Sequence, residues 1–175
     1  MHKVCALVAH GHEVTAFDNL GTGHCAAMGP TRLVVWNLLG PRAVEAAFAS
    51  RHFDVVMHLR ARSLVGETVS EPDEHYRNSA VETLDLLRAM RAADVGKLVF
   101  SSSAAVFGKP EASSIEENHP NAPINPYGAS KLMVERMLAN TAQAHGLCSL
   151  ALRYFNAADA DPSGETGASH QRRPL

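Results

Sequence analysis

Apolar, β-branched runs at 31–36, 53–59, 97–101 and 148–154 recur along the chain, and a helical pattern separates each from the next, at 41–50, 73–93 and 126–145. A parallel strand reaches its neighbour only through a crossover of a dozen residues or more, usually a helix. The alternation therefore restricts the chain to the α/β class, a doubly wound parallel sheet with helices on both faces. Local signals agree: Pro41 stands near the first turn of its helix, and Gly146 follows the last turn of another. In the long pattern 73–93, Leu84, Leu87 and Met90 are expected to form one apolar stripe. Upstream, residues 2–10 suit the last turns of a helix stopped by Gly11, and 12–17 reads as a strand closed by Asp18-Asn19-Leu20. The run 148–154 is expected to be a buried strand, and 109–125 a polar, proline-containing loop. After Asn156 the composition turns to Ala, Asp, Gly, Ser and Pro, the pattern of a loop or disordered tail. The organisation expected is one partial domain over 1–156 followed by the tail 157–175.

The 16 basic and 18 acidic residues give a net charge of −2 without a block of like charge, which argues against nucleic acid or an anionic membrane as partner. No apolar run reaches the roughly 18 residues of a membrane span. Cys5, Cys25 and Cys148 are widely spaced and form no CxxC pair, so neither a disulfide framework nor a zinc site is expected, and a reducing, cytoplasmic setting is. The ten histidines are scattered, and each reads most simply as a surface or hydrogen-bonded structural residue. No metal is expected.

In doubly wound sheets ligands bind beyond the carboxyl ends of the strands. Asp18, Asn37, residues 59–63, residues 101–103 and Asn156 all fall at such ends. Asp18 stands where dinucleotide folds place a carboxylate on the adenosine ribose, an arrangement that disfavours a 2′-phosphate and selects NAD; it also suits the start of a turn. Tyr127 and Lys131 lie four residues apart at the head of the pattern 126–145, so a helix puts both on one face. An ammonium beside a phenol favours phenolate, a general base. Ser103, 24 residues before Tyr127, is placed to hydrogen-bond a substrate hydroxyl that Tyr127 deprotonates, while Lys131 is placed to reach a nicotinamide ribose. The alternative for Ser101-Ser102-Ser103 is a strand end capping the next turn. Ser, Tyr and Lys together point to hydride transfer, in which the cofactor holds the hydride and the protein moves a proton. A phosphate loop is harder to find. The fingerprint glycines precede the acid by roughly 20 residues, and 17 residues precede Asp18. Gly21-Thr22-Gly23-His24-Cys25-Ala26 fits G-x-G-x-x-A, but Gly29-Pro30 leaves no helix N-terminus to hold a pyrophosphate.

Five segments carry a resemblance: Gly11-His12-Glu13-Val14 with Asp18-Asn19-Leu20; Val65-Gly66-Glu67; 100–108; Asn125-Pro126-Tyr127-Gly128-Ala129-Ser130-Lys131 with the run to Glu135; and Leu152-Arg153-Tyr154-Phe155-Asn156-Ala157-Ala158. Over 2–168 the chain resembles the extended short-chain dehydrogenase/reductase family, its UDP-glucose 4-epimerase branch most closely. The resemblance implies bound NAD and a UDP-sugar whose 4-hydroxyl loses its proton to Tyr127 on the way to a 4-keto sugar. It implies catalytic roles for Tyr127, Lys131 and Ser103. Asp18, Asn19, Asn37, Leu38, Leu59, Asn78, Tyr127, Lys131 and Phe155 would line the cofactor site, and Ser103, Tyr127 and Asn156 would meet the substrate. It also implies a homodimer through helices 73–93 and 126–145. Another sugar-nucleotide epimerase or dehydratase, or a non-catalytic remnant paired with a full-length relative, are the alternative readings.

The chain departs from the pattern at several points. Trp36-Asn37 replaces Gly-Asp, Leu59-Arg60-Ala61-Arg62-Ser63 brings two arginines after the third strand, Val81-Glu82-Thr83 replaces Asn-Gly-Thr, and Asp159 stands where glycine is usual. Without the family's first strand and glycine loop, the strands on either side lose a neighbour, at about 1–3 kcal/mol for each backbone group buried unpaired. The expectation is a fragment truncated at both ends, without the substrate domain and impaired in holding NAD and in epimerising by itself.

Overall fold

The computed structural model describes residues 2–18, 20, 31–35, 41–59, 72–110 and 114–156. These divide into two compact units, one within residues 1–37 and one within 38–156.

The first unit holds α1 (His2–Ala9), β1 (Thr15–Asp18) and β2 (Arg32–Val35), with the strands paired in parallel from Thr15↔Arg32 to Asp18↔Val35. β1 begins three residues later than the expected 12–17. The amide of Gly11, at φ +81°, donates to Val8 O (2.9 Å) and that of His12 to Leu7 O (3.0 Å). His12 thus still belongs to a helix-closing Schellman turn.

The second unit contains α2 (Pro41–Ala49), β3 (Val56–His58), α3 (Pro72–Tyr76), a π-helical stretch (Arg77–Val81), α4 (Glu82–Ala92), β4 (Lys97–Ser103), a 3-10 turn (Ala104–Phe107), α5 (Pro126–His145) and β5 (Cys148–Tyr154). Its sheet runs in the order β3-β4-β5, all parallel, with His58 opposite Phe100 and Ser103 opposite Tyr154. Among the described residues β1 and β3 fall in different sheets. β3 is shorter than the expected 53–59: its pairing with β4 starts at Val56, after a bend at Asp54, and the Phe53 ring packs edge-on against Phe48, centroids 5.5 Å apart. β4 alternates cleanly: Leu98, Phe100 and Ser102 are buried, while Val99, Ser101 and Ser103 are half-buried. α5 packs on β4 and β5, and α2 packs on α4.

Two expectations about burial are corrected. β5 forms over the expected residues, but its first four are exposed, Leu150 by 55%. β5 is the last strand of its sheet, paired on its β4 side, and an apolar pattern does not say what covers a strand. In the long helix, Leu84 is 41% exposed, and the buried stripe is Thr83, Leu86, Leu87 and Met90. Two successive three-residue steps carry Leu84 about 120° round the helix from Met90, too far to share its face. The helix 73–93 is otherwise as expected in extent, except that it begins at Pro72 and passes through the π stretch. At its joint the Thr83 hydroxyl donates to Ser79 O (2.6 Å), and His58 Nε2 meets the same hydroxyl at 3.0 Å.

α5 matches the expected 126–145 at both ends. Asn125 caps it, its side-chain oxygen accepting the Gly128 N–H at 2.8 Å, and Pro126 sits at the first position, where no N–H is needed. Gly146, at φ +71°, closes the other end through its amide to Ala142 O (2.9 Å).

Candidate functional site

The expected loop 109–125 is preceded by the 3-10 turn, and that turn meets the head of α5. Ser103 Oγ accepts the Ala105 N–H at 3.2 Å and starts the turn. So the capping alternative is realised for Ser103, whose hydroxyl keeps its own proton to donate. A Cβ built on Gly128 would lie 2.3 Å from Ala105 O and 3.0 Å from Pro123 Cβ. Only glycine at 128 lets the backbone that follows Ser103 approach the backbone that follows Tyr127.

One turn further along α5, Lys131 is 3% exposed. Its Nζ donates to Ser101 O at 2.6 Å and lies 4.7 Å from the Phe100 ring centroid and 5.8 Å from that of Tyr127. Burial lowers its pKa to about 8, because a charged ammonium loses hydration there. Phe100 returns part of that loss through its ring face. Tyr127 itself is half-buried.

Glu135, another turn along, completes a stripe spaced by fours with Tyr127 and Lys131. Its Oε1 accepts from Ser102 Oγ (2.5 Å) and Arg153 Nε (3.0 Å), and its Oε2 from Arg153 Nη2 (2.6 Å). Burial pushes the Glu135 carboxyl up, but the bonds from Arg153 and Ser102, with the charge of Arg153, outweigh it and hold the group below its ordinary range. The bond to Glu135 raises Arg153 in turn. Arg153 also lies over the Phe107 ring at 4.7 Å. This clamp ties α5 to the carboxyl ends of β4 and β5, so Ser101, Ser102 and Ser103 each serve a different partner.

Leu59 after β3, and Phe155 and Asn156 after β5, are exposed; Phe155 by 67%. Asn78 lies in the π stretch. Asp18 ends β1 in the first unit, where its Oδ1 accepts the Leu20 N–H at 2.6 Å, the turn-forming alternative. Asn19, Asn37 and Leu38 lie outside the described residues, as do Arg60, Arg62, Asp159 and the glycines at 21 and 23. The structure thus brings Tyr127, Lys131 and the Ser101–Ser103 strand end together in one unit.

A family model described as the NAD dependent epimerase/dehydratase family matches residues 2–171. The chain belongs to that family. Among curated members, a UDP-glucose 4-epimerase of Halalkalibacterium halodurans is 41% identical over 169 residues, 97% of this chain and 51% of the relative. The crystal structure of a UDP-glucose 4-epimerase from Brucella ovis in complex with NAD superposes with a TM-score of 0.93 at 39% identity, over 97% of this chain and 52% of that one. One from Bifidobacterium longum in complex with NAD+ and UDP superposes at 0.91 with 34% identity, over 95% and 52%. The Rossmann-like parallel architecture is therefore that of the epimerase structures. The chain spans about half the length of the curated relatives it matches.

Two residues that support the head of α5 were given no role in the sequence analysis. Glu135 was visible in principle, since 127, 131 and 135 step by four along one helix face. His75 was not: one of ten scattered histidines, it is 3% exposed and reaches Ser130 from 55 residues away.

Proposed function

We propose that this chain carries the catalytic residues of a UDP-glucose 4-epimerase, interconverting UDP-glucose and UDP-galactose through a 4-keto sugar with NAD as cofactor, and that by itself it does so in impaired form. The observation that carries the reading is the head of α5, where Lys131 is buried against Ser101 O and Phe100 with the Tyr127 ring beside it. Tyr127 takes the proton of the sugar 4-hydroxyl and later returns it. Lys131 supplies the positive charge beside the phenol, and Ser103, its oxygen already engaged by Ala105 N–H, donates a hydrogen bond to the sugar oxygen while keeping its proton.

The residues present suit the nicotinamide half of NAD. A buried cation, an exposed apolar Leu59 and an exposed Phe155 stand at or next to the carboxyl ends of β3, β4 and β5, where a planar ring and a ribose need them. Asp18, with Oδ1 in its turn, has Oδ2 to offer an adenosine ribose. Asn19, Asn37, Leu38 and Asn78 complete the proposed cofactor contacts, and Asn156 a contact to the sugar. Bound there, NAD would supply the hydride acceptor and donor for the sugar carbon. We read residues 1–156 as NAD-binding; residues 157–175 lie outside the described ones.

The long helices support a homodimer, since Val81, Leu84 and Met133 on them are exposed by 49%, 41% and 43%. A cytoplasmic location suits the exposed, unbridged thiols of Cys5 and Cys148. No helix among the described residues is long and apolar enough to cross a membrane.

The test is to assay the purified chain with NAD for interconversion of the two UDP-sugars, beside Tyr127→Phe. Slow interconversion, falling about 10²- to 10⁴-fold further in Tyr127→Phe, is expected. No interconversion in the wild type, or an undiminished rate in the variant, overturns the reading; release of a 4-keto product would make the chain a dehydratase.

A further inference from the structure

Ser130 lies between Tyr127 and Lys131 on α5 and is fully buried. Its hydroxyl donates to the Tyr127 carbonyl at 2.8 Å, and His75 Nε2 stands 2.9 Å from the same oxygen. A serine hydroxyl has one proton. Given to Tyr127 O, it leaves the oxygen only lone pairs for His75, so His75 must carry its proton on Nε2 and donate. The order of donation is then His75 to Ser130 to the Tyr127 carbonyl, running from α3 into the first turn of α5. The His75 ring also lies 6.2 Å from the Tyr127 ring, centroid to centroid, and the same distance from Tyr76.

A second arrangement in the same unit has the same form. His58 Nε2 meets the Thr83 hydroxyl, which donates to Ser79 O four residues back. There the carbonyl belongs to a π stretch, where regular helical bonding is interrupted. At α5 the carbonyl of Tyr127 belongs to a helix's first turn, whose orientation fixes where the phenol points. A buried donor that holds the Ser130 proton on that carbonyl removes the alternative in which the hydroxyl turns away from it.

We propose that His75 is a positioning residue for Tyr127, acting through the Ser130 hydroxyl on the Tyr127 carbonyl. This rests on the epimerase reading for its consequence in turnover, but not for its geometry. A glutamine at 75 offers an amide N–H near the place of Nε2 and should substitute; leucine fills the space and cannot donate.

The experiment uses the whole chain, its tyrosines labelled at Cζ for NMR, in His75→Leu, His75→Gln, Ser130→Ala and the His75→Leu/Ser130→Ala double variant. The Tyr127 resonance is expected to move in His75→Leu and in Ser130→Ala, to move no further in the double variant, and to return in His75→Gln. In turnover of UDP-glucose, kcat should fall about 10- to 100-fold in His75→Leu, the scale of a misplaced catalytic group. KM should stay within about twofold, as for an interaction used mainly in the transition state, and His75→Gln should recover most of kcat. Should His75→Leu fail to fold, Ser130→Ala against Ser130→Thr, which keeps a hydroxyl, decides the same point. An unmoved Tyr127 resonance, additive shifts, or a glutamine variant as damaged as the leucine variant overturns the proposal. A wild-type chain that does not turn over UDP-glucose defeats the epimerase reading alone, and the Tyr127 resonance then still decides the role of His75.

Discussion

The head of α5 and the exposed strand ends are built in opposite ways. At the head, an Asn125 cap, the Gly128 contact with Ala105, the Ser130 bonds and the Lys131 bond to Ser101 hold a single turn from several sides. At Leu59, Phe155 and Asn156 the side chains stand exposed, and Asp18 has one short-range bond to Leu20. The difference follows the chemistry proposed for each. A group that moves a proton must be in place before the substrate arrives, whereas groups that cover a ligand can gain their contacts from it.

The contrast is broken most severely by removing what is buried. Lys131 is the largest case. Between its folded pKa of about 8 and its ordinary 10.5, the unfolded chain holds a proton that the folded chain has released. Stability should therefore rise with pH through that window, by up to about 3 kcal/mol in all. The wild type minus Lys131→Met difference in urea unfolding, followed from pH 7 to 10.5, isolates this slope; equal slopes in both proteins would show that the burial carries no such cost.

Gly128→Ala comes next. The added carbon meets a backbone carbonyl rather than a movable side chain, so a loss of about 2–3 kcal/mol is expected from overpacking. Thermal unfolding checks it, and a Tm within a degree of wild type would mean the turn yields freely. Breaking the clamp with Glu135→Ala should cost about 2 kcal/mol, since it leaves Arg153 and Ser102 without their acceptor. Because the folded Glu135 pKa is depressed, the clamp's contribution is present above the unfolded value near 4.5 and is lost as pH falls below it. Acid unfolding of Glu135→Gln should lack that component. The smallest effect belongs to the exposed side: Phe155→Ala should change stability by less than about 0.5 kcal/mol, while NAD binding measured by calorimetry weakens. A destabilisation comparable to that of Gly128→Ala would erase the distinction between the two regions.

Legibility in the sequence divided along a similar line. α5 was readable at both ends because proline at its first position and glycine after its last act through neighbouring backbone alone. The parallel class was readable because alternation leaves few ways to connect the strands. Strand lengths were less so: His12 was claimed by the end of α1, and the pairing of β3 with β4 starts at Val56, after a bend at Asp54. The exposure of β5 and of Leu84 is not legible there, because an apolar pattern shows what a residue prefers and leaves open what packs against it.

For the site, the amino-acid sequence by itself pointed to the chemistry proposed, through Ser103, Tyr127 and Lys131 at spacings that a strand and a helix bring towards one place. Tertiary structure decided their supports. Glu135 gained its role from Arg153 on β5, Gly128 from the carbonyl of Ala105, and His75 from Ser130. Each of those partners lies between 18 and 55 residues away along the chain, and only the folded packing of α5 against β4, β5, the 3-10 turn and α3 brings them within hydrogen-bonding or van der Waals reach.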